Sequence, residues 1–348
     1  MKRINGLVVA LMMVSAQLWA WTSPVSLPDM GDARIRVVGQ NVQNYLLDFT
    51  ASNASCKTQA AFEEKTDKIA HAFIAVQADI IAICEVEQNS TVLQPLCAAM
   101  NSILGTTDTY TYVADNLGNA VQSDKGYMGL KAGFIYRKDK VTPYGNTISP
   151  YNSNSIYCAR MRIQAFKEVS TNEVFVLSVN HFKAKDNTED AGEATRLTNT
   201  SRLLSKLNTV TTDPDILIMG DLNAYIGEQP IINIQNAGYE EQLIRFNQSA
   251  YSYVYQGQRG LIDHAMANST MAEQITSAQV YHINTSGGYS YKYSDHDACV
   301  VGLKLGKNAP SGLDEGTIKA KSRKMIIDGQ LYIEYNGRFY DSFGRLIQ

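Results

Sequence analysis

An apolar run, Ile216-Leu-Ile-Met, stops at Gly220 and is followed at once by Asp221 and Asn223. In extended chain, residues i and i+2 point to the same side. The carboxylate and the carboxamide are therefore expected to reach one shared point at a strand end. Four other apolar runs end or begin with isolated polar groups of this kind. Asn41 closes the run from Arg34, Glu85 closes the run from Asp79, His181 follows the run ending at Val179, and Asp295-His296 opens the last run. Asp263 lies within a further run over 261–267. Oxygen donors without cysteine suit a hard cation, Mg2+, Mn2+ or Ca2+, better than zinc. Such an ion beside a histidine is the equipment for phosphodiester hydrolysis. The ion neutralises phosphoryl oxygens, the histidine activates water, and a second acid fixes the histidine tautomer. Each residue alone reads as a turn or core residue; their joint occurrence at strand ends points to a site.

These groups need strands to hold them. Continuous apolar or alternating runs predict strands over 34–41, 79–85, 132–136, 161–166, 174–179, 215–219, 261–267, 278–283 and 297–304. Phe62, Ile69, Phe73 and Val76 share one face of a predicted helix over 58–77, and further helices are expected over 89–104 and 193–210. The stretch 105–130 reads as loop. Strands outnumber helices and the two interleave irregularly, which argues for a mixed α/β sandwich. If the last strand runs antiparallel to its neighbours, Asp295 and His296 lie at the edge where the other strands end.

The remaining histidines carry no such signal. His71 and His282 read as structural, and His264 points to the strand face opposite Asp263. Cys56, Cys84, Cys97, Cys158 and Cys299 fit no zinc spacing. One or two disulfides are expected in an exported chain, with Cys84 and Cys299 read as buried small hydrophobes.

Residues 1–20 read as a signal peptide: Lys2 and Arg3, an apolar core over 7–18, and cleavage after Ala20. No other segment approaches membrane-spanning length. Removing Lys2 and Arg3 leaves 29 basic against 34 acidic residues, a net charge of −5 with no basic block. Strong electrostatic capture of nucleic acid is not expected from such a chain. Residues 306–324 read as a linker, and 325–348, with three turn signals, as a short hairpin-like appendix.

The pieces Gly39-Gln-Asn41-Val, Ile81-Ala-Ile-Cys-Glu85-Val, Gly133-Phe-Ile-Tyr-Arg137, Asn180-His-Phe-Lys183, Gly220-Asp-Leu-Asn-Ala, Ile262-Asp-His-Ala and Ser294-Asp-His-Asp occur in one order. In this the chain resembles the endonuclease/exonuclease/phosphatase superfamily, over about residues 33–305. The resemblance implies a four-layered α/β sandwich, two mixed β-sheets packed face to face with helices outside. It implies Asn41, Glu85 and Asp295 as metal ligands, His296 as the base that activates water, and Asp263 as the acid that orients it. Asp221 and Asn223 resemble the pair facing the scissile phosphate, and His181 a second histidine that stabilises phosphate or donates a proton. Arg160 or Arg162, with Arg160 preferred, and Lys183 are placed to bind phosphate. Tyr127 is a candidate for a tyrosine some members use, and Glu87 competes with Glu85 as i+2 neighbour.

The implied activity is that of a secreted, Mg2+-dependent nuclease acting on DNA and on RNA, a monomer without stable membrane insertion. A sphingomyelinase or another phosphodiesterase or phosphatase of the same fold is the alternative; a non-catalytic binding protein is a third. The tail is similar to short Gly/Tyr-rich tails of exported bacterial proteins, which implies a role in secretion or sorting.

Overall fold

The computed structural model describes residues 21–114, 129–152, 155–187 and 190–306, and the backbone of three strands in the tail. The signal-peptide stretch, Tyr127 and most of the expected linker lie outside the described residues. Two compact units are present, Met1–Asn308 and Ala309–Gln348.

The first unit holds two six-stranded sheets. In chain order its strands are β1 (Ile35–Tyr45), β2 (Ile80–Glu87), β3 (Tyr110–Tyr112), β4 (Leu130–Arg137), β5 (Val141–Ile148), β6 (Met161–Glu168), β7 (Val174–His181), β8 (Ile216–Asp221), β9 (Tyr239–Glu241), β10 (Tyr253–Tyr255), β11 (Gln258–Gly260), β12 (Asp263–Asn268), β13 (Ile275–Tyr281) and β14 (Ala298–Leu303). One sheet has the order β13-β14-β1-β2-β4-β3, the other β5-β6-β7-β8-β12-β9, and β10–β11 form a separate hairpin. The helices are α1 (Gln59–Ala75), α2 (Gln94–Ile103), α3 (Tyr157–Arg160), α4 (Glu193–Leu207), α5 (Gln229–Asn236), α6 (Gln242–Phe246), α7 (Ser269–Ala272) and α8 (Ile283–Ser286).

Strand alternation divides the apolar side chains between two faces of each sheet. Val37, Ile80, Ala82 and Phe134 of the first sheet pack against Phe166, Leu177, Leu217 and Ala265 of the second. On its other face the first sheet sets Val38, Ile81 and Ile83 against Phe62, Ile69 and Phe73 of α1 and Leu96 and Met100 of α2. The second sheet sets Ile163, Val176, Ile216 and Ile218 against Leu203 and Leu207 of α4 and Ile231 and Ile234 of α5. The result is four layers, helix–sheet–sheet–helix, as expected. Thr58 caps α1, its Oγ accepting from the Ala61 N–H.

Some local expectations fail. β5, with Pro143 and Gly145 and a register shift against β6, lacks the clean alternation that marks a strand. β3 lies in the stretch read as loop. All five cysteines are buried free thiols, so the expected disulfides are absent. Cys84 and Cys299 point into the sandwich, where their thiols donate to the Asn180 and Asp263 carbonyls at 3.3 and 3.6 Å.

Strand direction creates the functional edge. β1 runs parallel to β2, and β7 parallel to β8. β14 is antiparallel to β1, and β12 is antiparallel to β8. The ends of four strands and the starts of two thus share one rim. Among the described residues no helix is long and apolar enough to cross a membrane. The second unit contributes an antiparallel three-stranded sheet, β15 (Arg323–Ile327), β16 (Gln330–Tyr335) and β17 (Arg338–Tyr340).

Candidate active site

Asn41 Nδ2 donates to Glu85 Oε1 and to Asp221 Oδ2, both at 3.0 Å, and so ties the two sheets together. Its Oδ1 accepts from the Gln43 N–H at 2.9 Å. Glu85 sits at a left-handed backbone position, φ +61°, where the β2–β4 register slips between Ile83 and Val86. This bulge breaks simple alternation and decides between the two candidate glutamates. Glu85 turns to Asn41 and accepts from the Asn44 N–H at 2.9 Å, while Glu87 is engaged by the Leu47 and Asp48 N–H groups and braces a loop.

Asp221 and Asn223 meet through the Asn223 backbone and not as two side chains on one strand face. Asn223 has left the strand, with φ +50°, and its N–H donates to Asp221 Oδ1 at 2.9 Å, an Asx turn. Asn223 Nδ2 donates to the Phe182 carbonyl at 3.2 Å, joining the ends of β7 and β8. His181 lies beside Asp221 in the parallel register, its Nε2 3.6 Å from Glu85 and 3.8 Å from Asp221. Burial pushes the His181 imidazole down to about 4 against the pull of Glu85, and the nearby Arg160 charge lowers it further. It is therefore neutral at pH 7. Burial pushes the Asp221 carboxyl up to about 7, opposed by His296 and by the Asn41 hydrogen bond. Burial also works against ionisation of Glu85, yet the imidazoles and the Asn41 and Asn44 hydrogen bonds hold it below the usual range. With His181 neutral, those two hydrogen bonds are the firmer cause.

The second half of the site is an acid–imidazole pair. His296 Nδ1 lies 2.7 Å from Asp263 Oδ2. Asp263 is the first residue of β12, directly opposite Asp221 at the end of β8. His296 Nε2 faces Asp221 at 3.8 Å and Asp295 at 3.9 Å. Burial disfavours the charged imidazole, but Asp263 and Asp221 outweigh it and raise its pKa well above the ordinary histidine value.

Single ligand atoms of Glu85, His181 and Asp221 lie within 4.8 Å of one another, as do those of Asp221, Asp263 and His296. In the second group Asp263 Oδ2 is already engaged by His296 and by Ser252 Oγ. In the first group the Glu85 and Asp221 carboxylates are oxygen donors that fit a hard cation, while Asn41 turns its NH2 to both of them and its Oδ1 to the Gln43 N–H. Asp295 is partly exposed on the solvent side of His296.

The basic candidates are placed differently from expectation. Arg160 is the last residue of α3, not part of a strand, while Arg162 lies in β6; both are buried. The Arg160 charge bears on His181. Lys183 pairs with Asp186 at 2.7 Å. His264 is fully buried and bonded to Glu241 at 2.7 Å and to the Ala224 carbonyl at 2.8 Å, a core pair. His282 pairs with Asp297 at 2.8 Å, and Asp297 also receives the Asn284 and Thr285 N–H groups at the start of α8.

Three positioning residues escaped the sequence reading. Ser252 Oγ donates to Asp263 Oδ2 at 2.7 Å. The Tyr253 ring packs on the His296 imidazole with centroids 4.7 Å apart. Lys65, buried in α1, donates to the Gln43 carbonyl at 2.7 Å and to Ser55 Oγ at 2.8 Å, while Glu85 and Asp295 both act on its charge. Burial drives its pKa down to about 8. Only the lysine had a signal: a charge among the apolar positions of α1.

No curated protein sequence matches the chain. Similar folds occur in an endonuclease/exonuclease/phosphatase of Bacteroides vulgatus (17% identity, TM-score 0.58, covering 78% of this chain and 99% of that one). The mannosyl-6-phosphatase Bt3783 of Bacteroides thetaiotaomicron is similar too (14%, TM-score 0.58, 78% and 100%). So is D. rerio TDP2 complexed with single-strand DNA product (15%, TM-score 0.54, 78% and 99%). At such identities the likeness establishes the fold alone. The family model for the Endonuclease/Exonuclease/phosphatase family, however, matches residues 50–296. That match spans more than two thirds of the chain, and the protein belongs to the endonuclease/exonuclease/phosphatase family, whose members are hydrolases of phosphoester bonds and typically depend on a divalent metal.

Proposed function

We propose that the protein is a secreted, divalent-metal-dependent nuclease that hydrolyses DNA, and RNA as well, after signal-peptide cleavage near Ala20. The observation that carries the hydrolytic reading is the 2.7 Å Asp263–His296 pair set against the Asn41–Glu85–Asp221 cluster. Lys2, Arg3 and the apolar core over 7–18 support export.

The residues divide the work as follows. Asp263 holds the Nδ1 proton of His296. The same carboxylates favour the charged imidazole, so the base is the form of His296 that has given up its Nε2 proton, and that nitrogen then takes the proton of the attacking water. Ser252 keeps the Asp263 carboxylate oriented. Asp221, Asn223 and His181 line the phosphate position, and Arg160 adds positive charge there. Glu85 would hold the cation, Mg2+ or alternatively Mn2+ or Ca2+, with Asp221 in reach of the same ion. Asp295 and Asn41 are the further ligands the family resemblance implies, Asn41 only with its amide turned to present Oδ1. Such an ion neutralises charge on the phosphoryl oxygens.

The test is to incubate residues 21–348 with plasmid DNA, single-stranded DNA, RNA, sphingomyelin and a generic phosphodiester, with Mg2+ or with a chelator. Nucleic acid cleavage that the chelator abolishes is the expected result. Absence of metal-dependent nucleic acid cleavage, with turnover of sphingomyelin, would transfer the site to lipid headgroups. His296→Ala should lower kcat by about 10²–10⁴-fold with the fold intact; near-normal turnover rejects the base assignment.

A further inference from the structure

The hairpin β10–β11 is joined to the catalytic edge by more than chain connectivity. Its strands pair Tyr253 with Gly260, Val254 with Arg259 and Tyr255 with Gln258. Gln256 and Gly257, both at positive φ, make the two-residue turn. Tyr253 bridges His296 through the backbone, and the Asp297 N–H donates to the Ser252 carbonyl at 2.8 Å. The base of the hairpin is thus fastened to the strand start that carries His296.

Alternation puts Tyr253 and Tyr255 on one face, with Val254 on the other. Across from Tyr253, Gly260 has no side chain, and a Cβ there would lie 2.4 Å from Tyr225 Cε1. The Tyr225 ring therefore fills that gap and lies beside Tyr253 on the same face. Tyr225 is two residues beyond Asn223 and carries Lys185 Nζ 5.0 Å from its ring centroid. A row of tyrosines thus runs from His296 and Asn223 outward: Tyr225 and Tyr253 half-buried, and Tyr255 57% exposed at the far end.

We propose that Tyr225, Tyr253 and Tyr255 form a stacking platform for nucleobases beside the scissile phosphate, so that the substrate is single-stranded nucleic acid. This rests on the nuclease reading and names its substrate class. Bases within a duplex are stacked on one another and leave no π-face for such a row. Stacking on aromatic side chains is tolerant of sequence and adds about 1–3 kcal/mol per base. A mature chain with 29 basic and 34 acidic residues gains from that contribution, because it holds phosphates weakly by charge alone. An exposed tyrosine at a hairpin tip adds nothing to the core, whereas Tyr253 and Tyr225 are fixed in place by His296 and Gly260.

The platform is tested with two oligonucleotides of equal length, one with normal bases and one in which abasic units flank the scissile bond. Wild type should show a KM for the base-bearing strand lower by about tenfold or more. Tyr255→Ala should collapse that KM ratio toward one, and Tyr255→Trp should preserve it. Cleavage of both strands by wild type with an unchanged ratio in Tyr255→Ala overturns the platform and leaves the nuclease reading standing. Cleavage of neither strand overturns the nuclease reading and the platform together. Binding of wild type, but not of Tyr255→Ala, to phosphatidylcholine–sphingomyelin vesicles, with the KM ratio unaltered, assigns the hairpin to a membrane surface instead.

Discussion

Gly220→Ala should damage stability and turnover together. Gly220 has φ +123°, a region L-residues rarely enter, and a Cβ there would lie 2.1 Å from the Asn180 carbonyl oxygen and 2.7 Å from its nitrogen. Asn180 and Gly220 are register partners on the parallel strands β7 and β8. Both colliding atoms are backbone, so relief requires the strands themselves to part by about 1 Å. The backbone conformation costs about 1–3 kcal/mol and overpacking a further ~1–3 kcal/mol, a sum near 4 kcal/mol. His181 and Asp221 are the next residues on each strand. A displacement of about 1 Å at reacting groups lowers rates by about 10²-fold. The assay is urea unfolding by far-UV circular dichroism, with kcat on a generic phosphodiester. Gly238→Ala is the control: φ is +95° but no atom lies within 4 Å of the added Cβ, so it carries the backbone strain alone. A Gly220→Ala protein within about 1 kcal/mol of wild type and within threefold in kcat would show that the close approach of these strand ends is wrong.

Asp263→Asn should keep the fold, since its size is unchanged, but lower kcat by about 10²–10⁴-fold through loss of the His296 tautomer; kcat within fivefold of wild type contradicts the orienting role. Burial pushes Asp79 up to about 6, against the Arg36 N–H bond and the nearby Lys140 and Arg137 charges. Its ordinary value is near 4. A raised carboxyl binds its proton more tightly in the folded chain, so this contribution is fully present below pH ~4 and is lost by about 3 kcal/mol as pH rises to about 6. Asp79→Asn should remove that decline, and urea midpoints for both proteins at several pH values check it; a difference that does not vary with pH refutes the assignment. Thiol titration of denatured, unreduced mature protein should find all five cysteines free. Fewer than four would mean that disulfides form.

The polar groups were legible because each interrupts an apolar run; His181 and Asp221 end their strands as expected, while β1 runs on past Asn41 to Tyr45 and β2 past Glu85 to Glu87. The partners of these groups were not legible. Glu85 and Glu87 looked equivalent by alternation, and a single bulge separates a site residue from a loop brace. In place of the expected meeting of the Asp221 and Asn223 side chains on one strand face, an Asx turn sets the Asn223 N–H on Asp221 Oδ1 and sends the Asn223 amide to the Phe182 carbonyl. Arg160 and Arg162 looked like strand neighbours, yet a four-residue helix ends between them. Ser252 and Tyr253 gave no local signal at all. Tyr253 matters through His296, 43 residues further along, and Ser252 through Asp263, 11 residues along, contacts that their own local sequence does not reveal.

The interleaving of the two sheets has a consequence for when the chain becomes active. β14 pairs with β1, so the first sheet closes only when the last strand of the unit arrives. Asn41 and Glu85 are made early in synthesis, but the imidazole at 296 comes 211 residues after Glu85. Contacts this distant in sequence form late and together. No chain ending before residue 296 holds the imidazole, and without β14 the strand β1 keeps only β2 as its neighbour. The candidate site therefore forms only when the two ends of the first unit have met.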